Sequence, residues 1–322
     1  MFQRRVRNRI HTHKGTAIIT ALFIMTLVAI VATAMSLRLQ IDIYRTRLTL
    51  NNDQSYLAAQ AVEYWAIGQL KKAAATSDPK QTDNIDQLPK RFPAALFSYP
   101  GAIITGQLED LQGKFNLNNL TEITDIPRFA KLLIAADNKI EPSQATAIAE
   151  ALAEWLVPYQ PSLPPSSTEQ FYQNQNPSYL IAHSSMVSIS EFRLIKGVSD
   201  EIYQAVAPYI CALPKPTPIN INSAPLAVLQ TLGTGITKEQ AELIIKDRSK
   251  TGYNFIADLN KNPKLKELEI PEEQITVLSN YFLTTAIVKI AEQQLVVYNT
   301  LDREKTDDKY TVNVIAQSIN AL

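Results

Sequence analysis

Cysteine is almost absent from this chain: Cys211 stands alone among 322 residues. One cysteine excludes an intrachain disulfide and any cysteine-based metal cluster. Its expected place is a buried position, where free cysteines usually sit. Histidine is nearly as scarce, with His11 and His13 close to the start and His183 alone in the remainder. The sequence has no HExxH, no phosphate-binding glycine loop, no GxSxG and no Cys/His cluster. The enzyme classes that those motifs mark are excluded, and a non-enzymatic protein is the expectation. Glycine and proline are both missing between Thr16 and Ile67, so nothing in that stretch interrupts a helix. Charge of either sign is missing from Gly15 to Leu37.

What is present is unevenly distributed. Lysine plus arginine and aspartate plus glutamate each number 31. Five of the cations, Arg4, Arg5, Arg7, Arg9 and Lys14, fall in the first fifteen residues, where no acid occurs. Setting them aside leaves 26 basic against 31 acidic side chains, a deficit of five. A weakly acidic body is a poor polyanion binder, because nucleic-acid affinity comes largely from neutralised phosphates.

The apolar run Thr16–Leu37 follows the basic head directly. Twenty-two helical residues span about 33 Å, the thickness of a bilayer core. The basic flank orients the head to the cytoplasm and the body to the far side. A secretory signal peptide has a shorter apolar stretch and a small-residue cleavage site after it. A plain signal anchor and a prepilin-type leader, cut after Gly15 in front of the apolar segment, both fit the pattern. Beyond the run, Ile43, Leu50, Leu57 and Tyr64 recur every seven residues, and Ala61, Trp65 and Gly68 share that side. This is an amphipathic continuation suited to packing on a sheet or on other helices.

The body reads as strands, then helices, then strands. After a turn-rich loop at Ser77, Asp78, Pro79, Asp83 and Asn84, Ala102–Gln107 reads as a strand and Leu108–Leu117 as a second extended stretch. Helical patterns follow from about 121 to 281. Asp125, Ser143, Ser188 or Ser190, Ser199, Ser223 and Thr237 stand as caps, and Pro271 starts a last helix, PEEQITVLSNY. Prolines cluster at 158–165 and at 214, 216 and 218, dividing the helices into subdomains at 121–212 and 213–280. Phe282–Ile290 and Gln294–Leu301 read as a hairpin turning at Ala291–Gln293. The polar tail after Arg303 reads as loose, with Tyr310–Ala316 able to add a short strand. The fold class is therefore α+β, a small antiparallel sheet closed by strands from both ends with a large helical insertion between them. Gly113 is expected in a turn or bulge. Asn116, Asn118 and Asn119 are expected to satisfy backbone groups where sheet passes into helix.

Two stretches carry a family resemblance: LEDLQGKFNLNNL at Leu108–Leu120, and VSISEFRLIKGVSDEIYQAVAPYICALPKPTPININSAPLAVL at Val187–Leu229. With the N-terminal segment they resemble the K component, a minor pseudopilin, of bacterial type II secretion systems, over about residues 10 to 300. The resemblance implies a basic leader at 1–15, cleavage between Gly15 and Thr16 by prepilin peptidase, and methylation of Thr16. It implies a helix with a membrane part at 16–37 and a periplasmic part at 38–72. The first sheet segment is then 73–120, the closing strands 281–303 and the tail 304–322. It implies a single-pass inner-membrane protein with a periplasmic body at the tip of a short filament, which primes assembly and supports protein export. The implied partners are I-type and J-type minor pseudopilins, the major pseudopilin and the inner-membrane assembly platform, met through Ile43, Leu50 and Leu57.

Position 20, Thr20 here, carries glutamate in major pilins at the corresponding place. The K component lacks that glutamate, as does this chain, consistent with a subunit that has none above it. The family binds calcium through acidic loops in the insertion. Here Trp155 is followed by Leu156, Val157, Pro158 and Tyr159, and only Glu169 remains as a candidate ligand, so no cofactor is expected. Ile219–Arg248 also resembles a helix-hairpin-helix unit. A membrane-anchored DNA-uptake receptor is therefore the alternative, with a K-like minor pilin of a type IV pilus beside it. The hairpin's cations, Lys238, Lys246, Arg248 and Lys250, are balanced by Glu239, Glu242, Asp247 and Asp258, which argues against DNA.

Overall fold

A computed structural model describes residues 14–75, 90–93, 96–97, 99, 101–121, 123–159, 166–233, 236–248, 252–306 and 309–321. Residues 1–13 of the 1–15 leader, the turn-rich loop at 76–89, and residues 160–165 of the proline-rich loop at 158–165 lie outside those residues. The chain divides into two units, 1–54 and 55–322.

The first unit holds the leading part of helix α1, Lys14–Ala75. Its large apolar side chains are exposed from Ile18 to Ile43. It is long and apolar enough to cross a membrane. Three threonines in the apolar run return their hydroxyls to their own helix: Thr20 to the carbonyls of Thr16 and Ala17, Thr26 to Phe23, and Thr33 to Ala29. A helix whose backbone and hydroxyls are satisfied internally is the form hydrocarbon tolerates.

In the second unit, the remainder of α1 lies on one face of a four-stranded antiparallel sheet. The strands are β1 (Ala102–Asp110), β6 (Tyr281–Ile290), β7 (Gln293–Thr306) and β8 (Lys309–Ile319), in the order β1-β6-β7-β8. Ala58, Ala59, Val62, Trp65, Ala66 and Leu70 bury against Leu108, Phe282, Ala286, Val288, Val297 and Leu301. Gly106 permits the closest approach: a Cβ there would stand 2.5 Å from a Val62 methyl and 2.6 Å from Phe92 Cβ. The first strand pairs with one about 170 residues later, so the helical block is an insertion between neighbouring strands, as the element order predicted.

Several boundaries differ from the sequence reading. The second extended stretch shrinks to β2, Phe115–Asn116, because the chain turns at Leu111–Lys114 after β1. The C-terminal tail is not loose: β7 runs to Thr306 and β8 completes an eleven-residue strand paired with it, with Val312 buried and Gln317 bonded to Tyr56 and Asn299. The β6–β7 turn is Ala291–Glu292, with Ala291 at φ 52°.

The insertion is built from short elements around one apolar core reaching from Phe115 to Val277. Its longer helices are α2 (Ile126–Ala136), α3 (Pro142–Leu156) and, later, α7 (Lys238–Arg248). Shorter pieces are α4 (Ser167–Gln173), α5 (Asp200–Val206), α6 (Leu226–Leu229) and α8 (Pro263–Lys266). Two-residue strands β3 (Ile210–Cys211), β4 (Ile219–Asn220) and β5 (Ile275–Thr276) form parallel pairs, β3 with β2 and β4 with β5. Phe129 stacks between Phe115 and Phe192 at 5.5 and 5.7 Å.

Caps at Ser188, Ser199 and Thr237 form as read. Others do not. Asp125 pairs with Arg128 and makes no cap bond; Ser143 lies inside a helix opened by Pro142. Ser223 turns to Asp110, leaving Pro225 to open the four-residue α6. The helix expected from Pro271 is one 3-10 turn, Glu272–Gln274, before β5, because Ile275 pairs with Ile219.

Candidate assembly surface

Helix α1 presents two faces in the second unit. Ser55, Ala58, Val62, Ala66 and Leu70 face the sheet. On the opposite side, Leu57 and Tyr64 are 62% and 66% exposed, and Gly68 has nothing within 4 Å of a Cβ built on it. In the first unit, Ile43 and Leu50 are 52% and 54% exposed. Seven residues turn a helix through 700°, so the pair within each unit drifts only about 20°. In the second unit, Leu57 and Tyr64 therefore lie on the uncovered face of α1. Trp65, counted with it, turns inward and meets Phe92 edge-on at 5.7 Å. Gly15 and Thr16 lie in the first turn of α1.

The insertion is fastened by buried amides. Asn118 donates to the carbonyls of Met186 (2.9 Å) and Leu213 (2.7 Å) and accepts from Met186 N (2.8 Å). Asn116 accepts from Asn118 N and Leu213 N, both at 3.1 Å, and donates to Lys215 O at 2.9 Å. Asn119 exchanges two bonds with Thr217, at 2.8 and 2.9 Å. Prolines 214, 216 and 218 cannot donate, so their spacer depends on side chains for its backbone partners.

Asp110 was missed by the sequence reading. It closes β1 on the inward parity, 8% exposed, and accepts from Gln112 N (2.9 Å), Asn220 Nδ2 (3.2 Å) and the Ser223 hydroxyl. Burial raises its pKa, while the Ser223, Ser279 and Gln112 hydrogen bonds and the Arg303 charge pull it down without cancelling the rise. Gly113 belongs to this junction: a Cβ there would stand 2.6 Å from Ser223 Oγ. The residue lies in the turn, as expected, and close approach is what requires glycine. Cys211 is buried, as its type suggested, and burial drives its thiol pKa far up.

The acidic candidate for calcium is already committed to protein donors. Glu169 accepts from Ser166 N at 2.9 Å in a capping box and faces His183 Nε2 at 3.4 Å. The Ser166 hydroxyl bonds Glu154, and His183 Nδ1 lies 2.8 Å from Val157 O. Calcium needs six to eight oxygens with several carboxylates. Among the described residues no group of three His, Cys, Asp or Glu side chains could hold a metal ion, so this donor set does not fit one.

The helix-hairpin-helix likeness weakens on inspection. Its first helix is one turn long. Gly233 N, the kind of donor that would hold a phosphate, bonds Gln274 Oε1 at 2.8 Å, and Arg248 turns inward to Ile221 O.

Comparison with known proteins agrees with this architecture. Family models described as type II secretion system protein K match residues 113–215 and 219–278. The type II secretion system protein K of Pseudomonas aeruginosa is 27% identical over 300 residues, covering 90% of this chain and 89% of that protein. Its counterpart in Klebsiella pneumoniae is 27% identical over 292 residues, covering 85% and 88%. A chain of the crystal structure of the GspK-GspI-GspJ complex from enterotoxigenic Escherichia coli superposes with a TM-score of 0.70 at 20% identity. The match covers 86% of this chain and all of that one.

Proposed function

The chain belongs to the type II secretion system protein K family, and we propose that it is the minor pseudopilin at the tip of the secretion filament. It primes pseudopilus assembly and so supports export of folded proteins across the outer membrane. The observation that carries this reading is the uncovered stripe of α1, apolar and opposite the face its own sheet occupies. An exposed apolar face of this kind marks an interaction site. I-type and J-type minor pseudopilins pack along Ile43, Leu50 and Leu57, with the major pseudopilin and the assembly platform below them. The insertion blocks addition of a subunit above, and Thr20 supplies no carboxylate for one. The DNA-receptor and type IV pilus readings gain no support from the relatives.

The apolar part of α1 fits a single-pass membrane anchor. The head faces the cytoplasm and the body the periplasm. Prepilin peptidase cuts between Gly15 and Thr16, and Thr16 is then methylated. The protein acts as a scaffold without an enzymatic step, and the His183–Glu169 contact closes the α3–α4 connection in place of a cation.

Leu50→Asp tests the stripe: co-purification of the I-type and J-type subunits from membranes is lost, and unchanged co-purification would sink the assignment. Intact mass with and without the peptidase tests the leader, which disappears only when the enzyme is present.

A further inference from the structure

The sheet treats its two edges differently. Along β1, the segment 90–92 lies as a cover: Phe92 N donates to Gly106 O at 2.8 Å, Leu108 N to Lys90 O at 3.0 Å, and Arg91 bridges Gln107. The other edge is β8, and among the described residues no strand pairs with its outer side. After Lys309 at its start, that strand has no charge, no proline and no glycine through Ile319. Natural edge strands are usually short, or blunted by lysine, proline or inward charges. Here a single register irregularity opposite Thr300/Leu301 is the only interruption.

A second feature lies at the same edge. A mainly apolar groove of about 190 Å³ runs between the sheet and the insertion, lined by Val187, Ile189, Tyr298 and Ala316, with Lys114 and Gln317 among its polar members. Val187 is 84% exposed at its rim. On β8 itself Ile315 and Ile319 are 41% and 48% exposed. A row of alternating free N–H and C=O groups is complemented by another extended backbone. Strand addition takes its affinity from those main-chain bonds and its specificity from pockets that receive alternate side chains.

We propose that β8 is a strand-addition site for an edge strand of a partner pseudopilin, which places an apolar side chain in the groove beside Val187. The proposal rests on the assembly reading above and adds a second contact to it. Tyr56 of α1 donates to Gln317 of β8 at 2.9 Å, so the open edge adjoins the helix that partners are taken to pack against. One partner subunit reaches both surfaces. The added strand is uncharged opposite Val314–Ile319, since a charge covered there would lack a counter-ion.

The test is amide hydrogen exchange on the full-length chain in detergent, alone and in complex with the I-type and J-type pseudopilins from the same cells. Binding slows exchange across 309–319 by about tenfold or more, as for newly made main-chain bonds. The double variant Ile315→Lys/Ile319→Lys weakens co-purification about tenfold, with an unchanged circular dichroism spectrum. Ala316→Phe, which fills the groove without altering charge, does the same. A complex that forms with exchange at 309–319 unchanged overturns the strand site and leaves the α1 contact standing. Protection that appears in the chain alone and rises with its concentration assigns the edge to a second copy and overturns it too. Failure of any complex to form with the unaltered chain overturns the assembly reading and this proposal with it.

Discussion

The sheet layer and the insertion are held by different means. Between α1 and the sheet, contact is mainly apolar: small and branched side chains of residues 58–70 rest on Leu108, Ala286, Val288 and Val297, with only Tyr56–Gln317 and Glu63–Asn299 adding side-chain hydrogen bonds among the described residues. The insertion has an apolar core of its own, and its return to the sheet is governed by buried amides and Asp110. Apolar packing is proportional to area and tolerates a shift of neighbours. A buried amide with three partners tolerates none, because each displaced partner becomes an unpaired polar group. The difference suggests that the α1–sheet layer supplies stability, while the amide clamp sets where the insertion sits.

The largest expected effect breaks the clamp. Asn118→Ala leaves three backbone groups of Met186 and Leu213 without their partner, a loss of about 3–5 kcal/mol at one to three per buried group with partial relaxation. Urea unfolding should show it; a loss as small as that of a surface site would break the comparison. Leu70→Ala, fully buried against the sheet, should cost about 3 kcal/mol through lost transfer energy and a cavity. The same unfolding curve measures it, and proteolysis of the insertion should stay unchanged until the global transition.

Gly113→Ala sharpens the picture at the junction. The added Cβ meets Ser223 Oγ, for about 1–3 kcal/mol of strain. Combining it with Ser223→Gly should recover part of that loss, and strict additivity in the double-mutant cycle would disprove the contact.

The smallest effect is the pH dependence of Asp110. Its folded pKa lies above the ordinary 3.8, so the folded chain holds that proton more tightly than the unfolded one. Stability from this group is fully present below 3.8 and is lost as pH rises through the raised value. Asp110→Asn should remove that slope. Unfolding midpoints compared over acidic pH would show matching slopes if Asp110 were uncoupled.

Much of this was legible because it is local. The apolar run of α1, its heptad stripe and the β6–β7 hairpin follow from periodicity, which needs no knowledge of distant residues. The caps at Ser188, Ser199 and Thr237 were readable for the same reason. Ser223 was not, because its hydroxyl is claimed by Asp110 from 113 residues away. The tail was read as loose because 304–309 is polar, with Tyr310–Ala316 able to add a short strand, and only pairing with β7 shows the strand's full length. The asparagines were recognised as backbone partners, yet most of those partners lie 68 to 99 residues distant. The open edge and its groove had no sequence signal at all, since an edge is defined by what fails to pair with it.

By itself the sequence determined the long apolar helix, the side of its later turns that faces away from the sheet, and the order of strand, insertion and strand. Each depends on spacing along one element, where side-chain direction is set by 3.6-residue or two-residue periodicity. The tertiary structure alone decided which polar side chains became clamps, which serine stopped being a cap, and which strand edge stayed open. Those outcomes depend on groups brought together across long chain separations, where a hydrogen bond goes to the partner the packed core places within reach.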